Sequence, residues 1–156
     1  MTEKKKKKLI IWISVCSLFM CIATPIIFET LALAQSPTAS DEQLIARAIN
    51  GEARGEPYEG QVAVGAVILN RVESPDFPNT VAGVIYQPGA FTAVSDGQIH
   101  APIDPGSTVL KAARDAMNGW DPTGGCLYYW NPATATSKWI WSKQIVKTIG
   151  KHHFGK

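Results

Sequence analysis

Between Gln61 and Asn70 the chain carries no polar side chain; Val62-Ala63-Val64-Gly65-Ala66-Val67-Ile68-Leu69 runs unbroken. A segment that is apolar all round is stable only when it is enclosed on every side, so the fold must be built around it. Periodicity alone does not separate a buried strand from a buried helix. The length of Gln61 to Arg71 and the absence of turn residues inside it favour a central core helix. Ala63, Gly65 and Ala66 would let a second helix approach closely.

The stretch Ser40 to Glu56 supplies that second helix. Ser40 or Asp41 suits the N-cap, and Ser40 with Gln43 has capping-box spacing. Gly55 followed by Glu56-Pro57 ends it, because the residue before proline is driven out of the helical region. At about 100° per residue, Ile45, Ala48, Ile49 and Glu52 fall on one stripe. Glu52 thus stands among apolar side chains. Loss of hydration there would favour the protonated acid, the form a general acid needs to protonate a leaving oxygen. The alternative is a Glu paired with Arg47 or Arg54, or one reaching solvent near the helix end.

Gly51-Glu52-Ala53-Arg54-Gly55-Glu56, followed by Gly60 to Arg71, resembles the signature of the SleB/CwlJ-type spore-cortex-lytic cell-wall hydrolases. The likeness continues in order through Phe91 to Ile99, Tyr129-Trp130-Asn131-Pro132 and Ile149 to Phe154, nearly all of the chain after residue 40. The resemblance implies a lysozyme-like catalytic domain related to lytic transglycosylases, with Glu52 as the catalytic acid. The N-terminal peptidoglycan-binding repeat of the SleB branch has no counterpart in this sequence.

Before that domain, Lys4 to Lys8 form a basic start, Leu9 to Phe28 are mostly apolar, and Ala32-Leu33-Ala34 makes an A-x-A cleavage site. The expected organisation is a signal peptide over 1–34, a linker over 35–39 and a catalytic domain over 40–156. The apolar run is also long enough to span a bilayer, so an uncleaved membrane anchor is the alternative. Either way the domain is exported, to the cell wall, the cortex or the outer face of the inner membrane. Five of the 15 basic and two of the 13 acidic residues lie in this leader, leaving ten against eleven in the domain. A nearly neutral domain has no field for nucleic acid. Cys126 is the single cysteine past the leader and cannot form an internal bridge; a small buried hydrophobe is the expected role.

The rest of the chain predicts an α+β domain, mostly helical, with a small β element near the C-terminus. Glu56 to Gly60 reads as a turn, and Asn79 or Thr80 caps a short helix to about Tyr86. Phe91 to Ile99 reads as a loop or small hairpin turning at Ser95-Asp96-Gly97. Ser107 caps a helix through Asn118, Cys126 to Trp130 reads as a strand, and Gln144 to Phe154 as a last strand or irregular segment.

Glycoside hydrolysis needs two carboxyl groups about 5–9.5 Å apart, depending on its stereochemistry. Lytic transglycosylation needs one. Glu56, Glu59, Asp96 and Asp104 are the further acidic candidates, and none has a clear claim; Asp96 in its turn suits bonding to its own backbone. Sugar-binding candidates are Phe91, Ser95, Tyr129, Asn131 and Trp139, with Tyr128, Trp130 and Trp141 beside them. Arg71 suits electrostatic capping of the central helix. His152-His153 lacks the spacing of a metal site, so neither metal nor cofactor is expected. The expected partner is peptidoglycan glycan, with membrane contact only through an uncleaved N-terminus and an accessory spore protein as an optional further partner. Two other readings compete: an N-acetylmuramoyl-L-alanine amidase, which usually requires zinc held by His and carboxylate, and a non-catalytic wall-binding module.

Overall fold

The computed structural model describes residues 39–156, which lie within the unit Pro37–Lys156. The expected leader over 1–34 and the linker before Ala39 fall outside the described residues. Helix α1 (Ala39–Ala53) buries Ile45, Ala48 and Ile49 completely, as its stripe requires. It starts at Ala39, so Ser40 lies inside the helix rather than at its cap.

The central helix α2 spans Tyr58–Glu73, and every residue from Gly60 to Ile68 is buried. It begins three residues before Gln61, because Pro57 (φ −51°, ψ 153°) sets the entry and Tyr58 is already in the first turn. The Tyr58 hydroxyl donates to Asp115 Oδ2 at 2.6 Å, tying this end to helix α5 (Thr108–Met117). Burial first, then the Asp115 bond and charge, push the Tyr58 phenol up to about 12. Ser107 caps α5 by accepting from Leu110 N–H, and Thr80 caps α3 (Val81–Ile85) by accepting from Gly83 N–H. α1, α2 and α5 pack on one another as the core.

Phe91 to Ile99 is neither a loop nor a hairpin. It forms the short helix α4 (Thr92–Ser95) and a 3-10 turn over Gln98–His100. Burial of Phe91, Ala93 and Ile99 against the core overrides the extended preference of the β-branched residues. Asp96 closes the segment locally by accepting from Gln98 N–H, and those Gln98 bonds hold its carboxyl below the usual carboxylate range.

The C-terminal part is a three-stranded antiparallel sheet, order β1–β3–β2, made of β1 (Tyr128–Trp130), β2 (Ile145–Ile149) and β3 (His152–Gly155). The expected single last strand is thus a hairpin, turning at Gly150-Lys151. Tyr129 pairs with Phe154 and Trp130 with His153. The last turn of α2 holds the lead-in to β1: Asn70 Nδ2 donates to Cys126 O at 3.1 Å and Arg71 Nε to Leu127 O at 2.7 Å. With those carbonyls bonded to the helix, β1 starts at Tyr128 rather than Cys126. Cys126 is wholly buried, and burial pushes its thiol up. Among the described residues no helix is long and apolar enough to cross a membrane.

Candidate active site

Glu52 stands in the last turn of α1, half-buried, where that helix meets α4. The two elements touch at Gly51: a Cβ there would collide with the Cβ of Ala93, so glycine is what permits the approach. The approach brings the Ala93 N–H to 2.9 Å from Glu52 Oε1, and the Thr92 hydroxyl donates to the same oxygen at 2.8 Å. Two neutral donors therefore orient the carboxyl. No arginine pairs with it; Arg54 donates instead to Gln98 Oε1 at 2.6 Å, and neither ion pair among the described residues involves Glu52.

Glu52 opens onto a groove of about 720 Å³. Its lining combines Glu52 and Thr92 with the whole of β1, Asn131, Trp139, Arg71 and His152. Among the described residues Glu52 is the one acidic side chain in that lining. The other carboxylate candidates are engaged elsewhere. Glu56 Oε2 accepts from Lys151 N–H, Glu59 pairs with Lys147, and Asp104 accepts from Gly106 N–H.

Tyr129 packs between Phe91, His152 and Phe154. Burial raises its phenol well above the ordinary value, and the charge of Glu52 adds to the rise, against the opposing pull of Arg71. The Tyr129 hydroxyl thus lies under the influence of both groups and keeps its proton. His152 is only 7% exposed, and its Nδ1 has no hydrogen-bond partner. Desolvation lowers its pKa, more than the charges of Glu56 and Glu52 raise it, so it is a neutral imidazole at neutral pH.

Of the sugar-binding candidates, Tyr129, Asn131 and Trp139 reach the groove lining, and Phe91 and Ser95 do not. Phe91 is buried under Tyr129 and Arg71, and the Ser95 hydroxyl turns back to donate to Thr92 O. The α4 turn is responsible, since it points the Thr92 hydroxyl and the Ala93 N–H toward Glu52 and turns Ser95 back on itself. Trp139 and Trp141 are 55% and 50% exposed, yet Trp139 alone of the pair lines the groove, edge-on to Tyr128. Three groove residues escape a reading of the sequence for this site. Thr92 lies where the sequence suggests a loop or hairpin, His152 stands out in it only as half of a metal-like pair, and Arg71 suits a helix cap.

The family model described as Cell Wall Hydrolase matches residues 55–155, and the chain belongs to that family. The matched span opens just past Glu52. The chain is 65% identical over 117 residues to a spore cortex-lytic enzyme of Bacillus cereus, covering 75% of this chain and 44% of the relative. The chain therefore spans less than half the length of that relative. The crystal structure of the catalytic domain of the Bacillus cereus SleB protein is similar at a TM-score of 0.71 and 63% identity, over 76% of this chain and 91% of that one. The catalytic domain of the germination-specific lytic transglycosylase SleB from Bacillus anthracis is similar at 0.72 and 62% identity, over 76% and 96%.

Proposed function

We propose that this domain cleaves the glycan backbone of peptidoglycan in spore cortex or cell wall as a lytic transglycosylase, with Glu52 as its single acid and base. The observation that carries the proposal is that Glu52 alone among acidic side chains of the described residues lines the groove. Hydrolysis by the usual two-carboxylate routes needs a partner carboxylate a few ångströms away. A one-acid route does not. Glu52 gives its proton to the glycosidic oxygen as the bond to the anomeric carbon breaks. The C6 hydroxyl of the same muramic residue then closes onto that carbon, and its proton returns to Glu52. Atoms balance without water, and the product ends in an anhydro sugar.

The Thr92 and Ala93 donors fix one carboxyl oxygen, leaving the other to meet substrate, an orientation that counts because misplacement by about 1 Å can cost about 10²-fold. Tyr129, Asn131 and Trp139 offer stacking and amide contacts to the sugars. The names of the similar SleB domains and of the cortex-lytic relative agree with this substrate class. Export through the N-terminal segment is part of the same reading.

The test is mass spectrometry of peptidoglycan digested by the full chain and by residues 35–156. Anhydromuramic ends support the transglycosylase. Reducing ends would replace it with a hydrolase, and freed stem peptides with an amidase. Loss of product in Glu52→Gln with an unchanged melting temperature is expected; undiminished turnover in that variant would remove Glu52 from the mechanism.

A further inference from the structure

We propose that Arg71 forms an anion-accepting subsite in the groove, binding a carboxylate carried by the glycan on its muramic residue. The inference rests on the peptidoglycan reading above and names which substituent of that polymer the groove selects. Arg71 is 7% exposed and lines the groove. Its Nε is used by Leu127 O, and no other hydrogen bond of its guanidinium is found among the described residues. Neither ion pair there includes it. Its surroundings are aromatic: the guanidinium carbon lies 5.2, 5.6 and 5.9 Å from the ring centroids of Phe77, Phe91 and Tyr128.

A charge taken this far out of water without a counter-ion is costly, and a site that holds one is ready for an anion to complete it. Arginine suits a carboxylate in particular, because its planar fork matches the two oxygens. With Nε bonded to the backbone, the terminal nitrogens are the donors left to face the groove. Lys143, outside the groove lining, adds positive charge beside Tyr128, its Nζ 4.0 Å from that ring centroid. Tyr128 in turn carries Trp139 edge-on at 5.5 Å. A sugar ring stacked on that aromatic pair would thus hold its substituents beside the guanidinium, while Glu52 attends to the glycosidic oxygen. In peptidoglycan the carboxylate has two sources, the lactyl ether of muramic acid itself or the peptide attached to it.

The experiment measures binding calorimetrically to the Glu52→Gln full chain, which retains ligand intact. Four tetrasaccharide probes are compared: a chitin oligomer without carboxylates, a muramic-acid glycan with free lactyl carboxylates, its lactyl methylamide, and the same glycan bearing one L-alanine on each lactyl group. The better of the two carboxylate probes should bind at least about tenfold tighter than the methylamide, as charge-assisted hydrogen bonds of this class allow. The preference should vanish in Glu52→Gln/Arg71→Gln and survive in part in Glu52→Gln/Arg71→Lys, which keeps the charge without the fork. Tighter binding of the L-alanine probe than of the free lactyl probe would assign the carboxylate to the peptide, and the reverse to the lactyl group. Binding of the methylamide as tight as that of both carboxylate probes would overturn the subsite. So would an equal loss for all four probes in both Arg71 variants, which is what a merely structural arginine produces. Product formation by the unmodified chain is read separately, so failure here leaves the Glu52 assignment standing.

Discussion

The helical and sheet parts of the domain divide the site between them in different ways. α1 and α2 present Glu52 from a close-packed apolar interior whose side chains repeat with helical period. The C-terminal part brings Tyr129, His152 and Trp139 from short strands and a 3-10 turn (Lys138–Ser142), held by side-chain bonds reaching across the fold. Asn70 and Arg71 grip the start of β1, and Glu56 accepts from Lys151 N–H at the hairpin turn. Asp121 organises the preceding loop. Burial pushes its carboxyl up, but hydrogen bonds from Thr123, Asn70 and Gly125 outweigh that and hold it below the usual carboxylate range. The helical part places Glu52 through packing, whereas the sheet part places the groove wall through a few polar latches.

If that division is right, damage to the two parts should look different. The largest effect belongs to the helical side. Glu52→Gln should lower kcat about 10²- to 10⁴-fold, the usual worth of a general acid or base, with no change in melting temperature, read by release of soluble muropeptides. Gly150→Ala comes next, on the sheet side. Gly150 has φ +56°, and a Cβ there would collide with Glu56 and Pro57, so the latch must open. A loss of about 1–3 kcal/mol in denaturant unfolding is expected from the backbone alone. An equally stable Gly150→Ala would mean that the hairpin is held by something other than this turn.

Trp139→Ala should raise KM by several-fold, given about 0.5–1.5 kcal/mol for an aromatic stacking contact, with kcat little changed. Trp141→Ala, equally exposed but off the groove, should leave both constants alone. Equal effects in the two variants would show that exposure matters and groove position does not. The smallest effect concerns pH. The pKa of His152 is lowered by folding, so its contribution to stability is complete above the ordinary value of 6.5. That contribution is lost as pH falls from there toward the lowered value, because the unfolded chain binds the proton more readily. The melting temperature of the unmodified chain should therefore fall more between pH 7 and 5 than that of His152→Gln. Parallel curves would mean that His152 is hydrated.

How far the sequence could be read follows the same division. The stripe of Ile45, Ala48, Ile49 and Glu52 and the apolar run after Gln61 encode α1 and α2 by periodicity, and their burial follows. The caps at Thr80 and Ser107 were visible because a hydroxyl before a helix has one evident use. Segments whose conformation depends on distant partners were misread. Phe91 to Ile99 coils because its apolar side chains find the core, and Gln144 to Phe154 folds back because Gly150 can take a left-handed turn beside Glu56.

The sequence by itself settled that a carboxylate would ride on a helix packed against an apolar core, since both facts reside in local spacing. It also carried the ordered motifs of the cell wall hydrolase family. Tertiary structure alone decided what surrounds that carboxylate: two donors from α4 in place of an arginine, and a groove that also holds a neutral His152 and an Arg71 with no ion-pair partner among the described residues. Those contacts join residues dozens of positions apart, and their strength depends on how much water the fold removes around them, which no local pattern records.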